Sequence, residues 1–558
     1  MTLEKSFQDA MLQTEDIYQL IAVCYNKLLC YHNDSDMVFL AQVGNLRQDM
    51  FFRSHAEEFE DLRQKLVDLA CQMDVRDDCD GIGFETFQCR LLQMMNQFPC
   101  PKDLAENICI PICIFFTLEA LDFYLDNHLE KIYDTLQSCG PLNEGDSQNA
   151  CLVYLHERES FLHDCYTSEK RDENFRTPHG PVRIGSIFHQ LLLIRRTDLK
   201  SIPQIIPILL NNKHKKEIKN RKQLKIASIP YIGFDTFYFH ALNQKCPCKP
   251  KEVPDGPFYV EYVSEWEEMN SRYVTQLLEK AIHQGANIVI FPEFIMSAAT
   301  KKAVENCLCQ LNPSCKQQLL FVMAGTHYCW DGVSKGDNIL YVFNANGKEI
   351  GRYYKYSPFL QQAEEQIHGV RFSSVKVAKS VRGKKDEKVP PQPRRYLENC
   401  EILSDPGKEC VLLDIEGIGR VLPAICRDVI DGVYTKHLTQ RFMPSMLMVP
   451  AWSTSVESFR THFEELANTI HTASLLCNCC NAVKEKVGQT MIGTFFMPAK
   501  EGSRMAPHWL PINRNRECVS QCRERGGCIF QLVLDFHDSQ PTCELVVNSP
   551  KLCKDIPS

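Results

Sequence analysis

The chain has no apolar run long enough to cross a bilayer, which takes about 20 residues. Its most apolar stretch, ICIPICIFFTLEAL at 108–121, is too short and carries Pro111 and Glu119. A buried helix is expected there, with no membrane association. The first residues, MTLEKSFQDAMLQTEDIYQL, scatter acids through the segment and lack the apolar core of an export signal, so the cytoplasm is the expected compartment. Positive charge is not in excess either: 62 Lys and Arg stand against 70 Asp and Glu, a formal net charge of −8. That disfavours a dedicated nucleic-acid binder and leaves only local basic segments for such contacts. No G-x-x-x-x-G-K-[ST] loop occurs, so no phosphate-binding synthetase half is expected, and no cofactor is called for.

Cysteine is abundant, at 28 residues, but poorly organised for metal binding. The clusters Cys246 and Cys248, Cys307, Cys309 and Cys315, and Cys518, Cys522 and Cys528 with His508 upstream show no paired C-x-x-C knuckles. Reduced thiols and no metal are the expectation for a chain of this size without an export signal.

Two textures divide the sequence. In SHAEEFEDLRQKLVDLACQM, Phe59, Leu62, Leu66 and Leu69 recur at three- and four-residue spacing, one face of a helix. ICIFFTLEALDFYLDNHLEKIYDTLQ repeats the pattern, and QNACLVYLHERESFLHDCY reads as a further amphipathic segment. An all-α domain is therefore expected over 1–197, a surface for a protein partner or for assembly, and a basic linker over 198–222. From 223 to 545 short strand candidates such as LKIASIPYIGF, ANIVIFPEF, LLFVMAGTHYC and SMLMVPAWS alternate with helical stretches, the pattern of an α/β domain. Asn346-Gly347 in NANGKEIGRYY predicts a hairpin and hence a mixed sheet. Residues 546–558 form a tail.

Three strand ends in this second part carry chemistry. GIGRVLPAICRDVIDG runs from a buried-looking strand into Cys426, ANIVIFPEF ends at Glu293 behind Pro292, and GRYYKYSPF sets Lys355 among aromatics. A thiol nucleophile, a carboxylate base and a cation are together what acyl transfer needs. The cation lowers the thiol pKa and stabilises the oxyanion, and the carboxylate takes the thiol proton. The backbone N–H of Arg427, next in the turn, is the candidate second oxyanion donor.

In their order and spacing, FPEF, GRYYKYSPF and AICRDV resemble the nitrilase, or carbon–nitrogen hydrolase, superfamily. LKIASIP, MAGTHY and MLMVPAW add to the likeness, which covers about 223–545. The resemblance implies an α-β-β-α sandwich in which Cys426 is nucleophile, Glu293 general base and Lys355 oxyanion stabiliser. Hydrolysis of a small amide, or of a nitrile, would proceed through a thioester. It also implies a second glutamate that orients the lysine, either Glu365 or Glu364, a pocket wall at Trp452, and pairing of two or more copies. Acyl transfer, ammonia supply to a separate synthetase, and service as a module in a multi-component assembly or antiviral defence system are the alternatives. The helical front half and the basic, proline-containing insertion 371–400 have no counterpart in the family pattern. The insertion is expected to be a solvated loop, or else a lid that recruits an anionic substrate or a nucleic-acid backbone.

Overall fold

The computed structural model describes residues 3–30, 56–73, 82–98, 106–136, 151–155, 191–195, 203–211, 214, 218, 223–231, 237–241, 256–330, 336–358, 360–362, 395–398, 410–430, 433–480, 482–483, 490–498, 508–514, 528–535 and 542–548. The chain forms two compact units, Met1–Glu157 with Glu169–Ile202, and Arg158–Ser168 with Pro203–Ser558.

The first unit contains the helices Lys5–Leu12, Ile17–Cys30, Ala56–Cys71, Phe84–Gln97 and Glu106–Leu136. Phe59, Leu62, Leu66 and Leu69 are all buried, as their spacing requires, in one core with Ile112, Ile114, Leu118 and Leu121. Asp16 caps the second helix by accepting from Tyr18 N and Gln19 N, each at 2.8 Å. Glu119, the acid in the apolar stretch, is held from the neighbouring helix by a two-pronged bond from Arg63, at 2.7 and 2.6 Å. Among the described residues no helix is long and apolar enough to cross a membrane.

Two expectations for this unit need correction. It is not all-α: β1 (Cys151–Leu155) and β2 (Leu191–Arg195) pair antiparallel, with Cys151 opposite Arg195. The run CLVYL was read as part of an amphipathic helix. Five apolar residues fit a short strand equally well, and the matching run LLLIR decides the outcome by supplying a partner. Nor are all thiols reduced, because Cys109 is disulfide-bonded.

The second unit is a mixed α/β structure built on two seven-stranded sheets. Its strands are β3 (Pro203–Ile208), β4 (Gln223–Ser228), β5 (Phe237–Ala241), β6 (Gly256–Tyr262), β7 (Ile288–Ile290), β8 (Phe321–Trp330), β9 (Gly336–Asn344) and β10 (Glu349–Tyr354). There follow β11 (Leu360–Gln362), β12 (Arg395–Glu398), β13 (Cys410–Ile415), β14 (Gly419–Pro423), β15 (Met446–Ala451) and β16 (Ala473–Asn478). The last are β17 (Thr490–Met497), β18 (His508–Arg514), β19 (Ile529–Asp535) and β20 (Thr542–Asn548). One sheet has the order β10-β9-β8-β7-β4-β19-β20, the other β18-β17-β16-β15-β14-β13-β3. Central strands such as β7, β13, β14, β15 and β16 are buried at every position, as strands covered on both faces must be.

The two sheets pack on each other. A Cβ on Gly351 of β10 would stand 2.6 Å from Ile206 of β3 and 3.0 Å from Val411 of β13, so glycine is what permits this approach. The helices Ser264–His283 and Ala298–Gln310 cover the outer face of the first sheet, where Leu278, Ala281, Val304 and Leu308 join a core with Val289, Val322 and Phe343. The helix Glu457–Thr469 buries Phe459, Phe463 and Ala467, and Phe463 meets Phe496 of β17 edge-on. The Asn346-Gly347 hairpin forms as expected, with Gly347 at φ 77° between β9 and β10.

Three segments behave differently from their sequence texture. Pro203–Ile208, inside the expected linker, is strand β3, paired in parallel with β13 along its length. His214 and Ile218 of the basic segment are buried rather than exposed. Arg395–Glu398, inside the basic insertion, is strand β12 of a separate four-stranded sheet, β11-β12-β6-β5. The rest of that insertion lies outside the described residues, as do Cys246, Cys248, Cys518 and Cys522.

Candidate active site

Cys426, Glu293 and Lys355 lie on different strand ends, and the packed sheets bring them together. The Cys426 segment is tied along β15: Ala424 N donates to Met448 O and Cys426 N to Pro450 O, both at 3.0 Å. Cys426 itself sits at φ 45°, a left-handed backbone that costs a non-glycine residue roughly 1–3 kcal/mol and persists only where its surroundings impose it. The short helix Arg427–Ile430 follows at once.

Glu293 is held with equal care. Beyond β7, Phe291 N donates to Met323 O at 3.0 Å, and Phe294, at φ 62°, donates its N–H to Thr326 Oγ1 at 2.9 Å. Gly325, at φ 79°, allows β8 this close, since a Cβ there would stand 2.3 Å from Pro292 O. The Glu293 carboxylate is then fully used. Oε1 accepts from Lys355 Nζ at 2.6 Å and from Asn338 Nδ2 at 2.8 Å, and Oε2 accepts from Trp452 N at 2.8 Å. Asn338 also accepts Lys355 N through its carbonyl at 2.9 Å, so one residue of β9 positions both members of the ion pair. Cys426 Sγ lies 3.8 Å from Trp452 O, and its thiol is hydrogen-bonded to the Glu293 side chain.

All three groups are at most 2% exposed, which makes charge expensive unless paired. Burial first, and the Glu293 carboxylate second, push the Cys426 thiol well above its ordinary range, against the opposing pull of Lys355. Cys426 at rest is therefore a protonated thiol beside a carboxylate that is already paired with an ammonium. Such a site does not store a thiolate. It needs a base in contact to generate one at the moment of attack.

A fourth buried charge, Asp428, stands two residues after Cys426. Asp428 Oδ2 accepts from Ile425 N at 3.3 Å, and Oδ1 accepts from Tyr356 N at 2.9 Å and Ser357 N at 2.6 Å, the two residues after Lys355. Burial raises the Asp428 carboxyl to about 7, opposed by Lys355 and by these three N–H donors. Because its folded value lies above the unfolded one, folding favours the protonated form. The resulting stability is full below about pH 4 and is lost as pH rises through 7, roughly 4 kcal/mol at most. His327 works the other way, since burial and then Lys301 lower it to about 4. Its contribution is full above about pH 6.5 and is lost towards pH 4. The difference between the native chain and Asp428→Asn in urea unfolding isolates the first effect: the native chain is expected to lose ground relative to the variant between about pH 4 and 7.

Aromatic rings wall the site. Phe237 of β5 meets Trp452 edge-on at 4.9 Å and Phe294 at 5.7 Å, while Tyr262 of β6 accepts from Tyr328 N through its hydroxyl at 3.0 Å. The four-stranded sheet is thus docked against the strand ends that carry Glu293 and Cys426. Trp452, the expected wall, is buried, and among the described residues its indole Nε1–H has no hydrogen-bond partner. Arg427 opens the short helix, the place expected for its backbone donor. Glu364 and Glu365 lie outside the described residues. Asn338, Asp428 and Phe237 were not singled out as site residues in the sequence. A polar residue one place before the apolar run ILYVF was the available sign for Asn338, and Phe237 gave none. Among the described residues no three His, Cys, Asp or Glu side chains cluster as metal ligands. Cys307 bonds Glu279 and Cys309 bonds Asn346 O instead.

The second unit is thus a two-sheet α/β structure with a buried thiol–carboxylate–ammonium constellation at its strand ends. No protein-family model matches the chain, and no curated protein matches it. Solved structures resemble part of it at low identity. The glutamine-dependent NAD+ synthetase of Acinetobacter baumannii is 13% identical over 59% of this chain and 48% of its own, with a TM-score of 0.33. The C. elegans NitFhit protein is 14% identical over 54% and 63%, at 0.28. An amidase of Nesterenkonia sp. AN1, bearing an acrylamide adduct on its active-site cysteine, is 12% identical over 60% and 96%, at 0.29. This chain therefore spans less than two thirds of the first two. Likenesses this distant leave the function to be argued from the side chains.

Proposed function

We propose that the second unit is a thiol-dependent hydrolase of a non-peptide carbon–nitrogen bond, with amides preferred to nitriles. The observation that carries this reading is the closed contact set of three buried groups: Glu293 bonded at once to the Cys426 thiol and, at 2.6 Å, to the Lys355 ammonium. A merely structural ion pair has no need of a thiol on its carboxylate, and a core cysteine has no need of a left-handed backbone.

In the proposed cycle the Cys426 sulfur attacks the acyl carbon as its proton passes to Glu293. Lys355 Nζ and the Arg427 N–H stabilise the oxyanion. Collapse expels the amine, which takes the proton from Glu293 and leaves a thioester on Cys426. Water then attacks the thioester, Glu293 again taking the proton, and release of the carboxylic acid restores the thiol. The acyl part of the substrate lies against Trp452 and Phe237. The unpartnered Trp452 indole N–H is the donor open to an oxygen on it, since leaving such a group unpaired costs about 1–3 kcal/mol.

Ammonia release from a panel of small primary amides and nitriles tests the reading. The native chain is expected to turn over at least one amide, and Cys426→Ala to lower that rate about 10³-fold or more. Turnover that survives in Cys426→Ala would refute a Cys426 mechanism.

A further inference from the structure

The lysine of this site has a second carboxylate neighbour. Asp428 is 1% exposed and reaches back from the first turn after Cys426 to the segment that follows Lys355, accepting from Tyr356 N and Ser357 N. Its other oxygen accepts from Ile425 N, the residue before the nucleophile. One side chain thus ties the lysine strand end, which belongs to one sheet, to the cysteine turn, which belongs to the other. Thr435 Oγ1 donates to the Asp428 carbonyl at 2.8 Å, fixing the residue from the next helix. Asp428 and Lys355 also interact electrostatically.

We propose that Asp428 is a positioning residue that fixes the distance between Lys355 and Cys426 and, when ionised, supplies the second negative charge that keeps the Lys355 ammonium protonated while Glu293 works on the thiol. This inference rests on the hydrolase reading and deepens it. A lone Glu293 cannot both hold the lysine proton and receive the thiol proton without weakening its hold on one of them. With Asp428 behind the lysine, Glu293 can become neutral during attack while the ammonium keeps an anionic neighbour. A helix cap would need only the bond to Ile425. The two bonds to Tyr356 and Ser357 cross from one sheet's strand end to the other's, and capping does not account for them.

Among the described residues the charged group that interacts with Asp428 is Lys355. Since burial places the Asp428 carboxyl near 7, its charge appears across neutral pH, and the reactivity of Cys426 should follow it. The test is the rate of Cys426 alkylation by iodoacetamide, read by intact mass from pH 5.5 to 8.5, on the native chain, Asp428→Asn and Asp428→Ala. Asp428→Asn keeps the shape and one acceptor but not the charge. It is expected to react about 10- to 100-fold more slowly at pH 8, the scale at which a misplaced catalytic group is felt, and to lose the native rise between pH 6 and 8. Added formate, which can occupy the space left in Asp428→Ala and return a carboxylate, is expected to restore part of the rate where chloride does not.

An Asp428→Asn chain that matches the native rate and profile within about twofold would overturn the proposal. Should both variants fail to fold, a native rate that levels off above about pH 7 would support it, and one that keeps climbing about tenfold per pH unit to 8.5 would overturn it. If the native chain shows no selective labelling of Cys426, the hydrolase reading fails and this inference falls with it. Selective labelling that is indifferent to Asp428 refutes this inference alone.

Discussion

Replacing Lys355 with methionine is expected to destabilise the second unit by about 3–5 kcal/mol, the cost of leaving one member of a buried ion pair without its partner. The Lys355–Glu293 contact is fully enclosed, with both side chains at most 1% exposed. Methionine roughly conserves the volume, so packing loss is small and the effect is electrostatic. After the change the Glu293 carboxylate keeps Asn338 Nδ2 and the Trp452 N–H as donors, which limits the damage and allows the chain to fold. Amide turnover is expected to fall by a further factor of about 10²–10³, the contribution of one oxyanion-stabilising donor. Urea unfolding of the two chains at one pH measures the first effect, and ammonia release under folding conditions the second. A Lys355→Met chain as stable as the native one would mean that the pair is not desolvated.

Glu293→Gln is expected to have a large effect on rate and a comparable one on stability, because it too breaks the buried pair. A general base contributes about 10²–10⁴, and glutamine cannot accept the thiol proton. Its geometry also fails in a definite way. Both carboxylate oxygens accept from N–H donors, so the amide can satisfy one side only and must turn its own NH₂ towards a donor on the other. Turnover is expected to fall by the full factor, while the Lys355 ammonium is left without its buried counter-charge, a loss of about 3–5 kcal/mol. Turnover within tenfold of native in Glu293→Gln would remove Glu293 from the role of base. Comparing this variant with Lys355→Met separates proton transfer from charge stabilisation, because only the first depends on a group that can take a proton.

The parts of this site that were legible in the sequence are those that local rules can reach. Cys426, Glu293 and Lys355 each end an apolar or aromatic run, and a reactive side chain at a strand end needs only the strand pattern to be noticed. Their family-like order then suggested that they meet. What the sequence did not disclose depends on distant pairing. Asn338 stands 45 residues from Glu293 and Asp428 stands 72 from Tyr356, and no periodicity links either pair. Asp428 was visible beside Cys426, yet its local bond to Ile425 was the only part of its role that spacing could suggest. Phe237 belongs to a four-stranded sheet assembled from two segments more than a hundred residues apart. Strand β3 was hidden for another reason: PQIIPI contains two prolines, and proline is tolerated there because β3 is an edge strand, paired on one side only. In the first unit the five-residue runs of β1 and β2 carried no signal that could separate strand from helix before each was seen to have a partner.

The central claim is that Cys426 is an activated nucleophile and not a core thiol. Intact mass after brief iodoacetamide treatment, comparing the native chain with Cys426→Ala and Glu293→Gln, tests it most directly. One thiol among the 28 cysteines of the sequence is expected to label fast, with that label absent in Cys426→Ala and slowed about 10²-fold or more in Glu293→Gln. Slow, uniform labelling that ignores both changes would contradict the account.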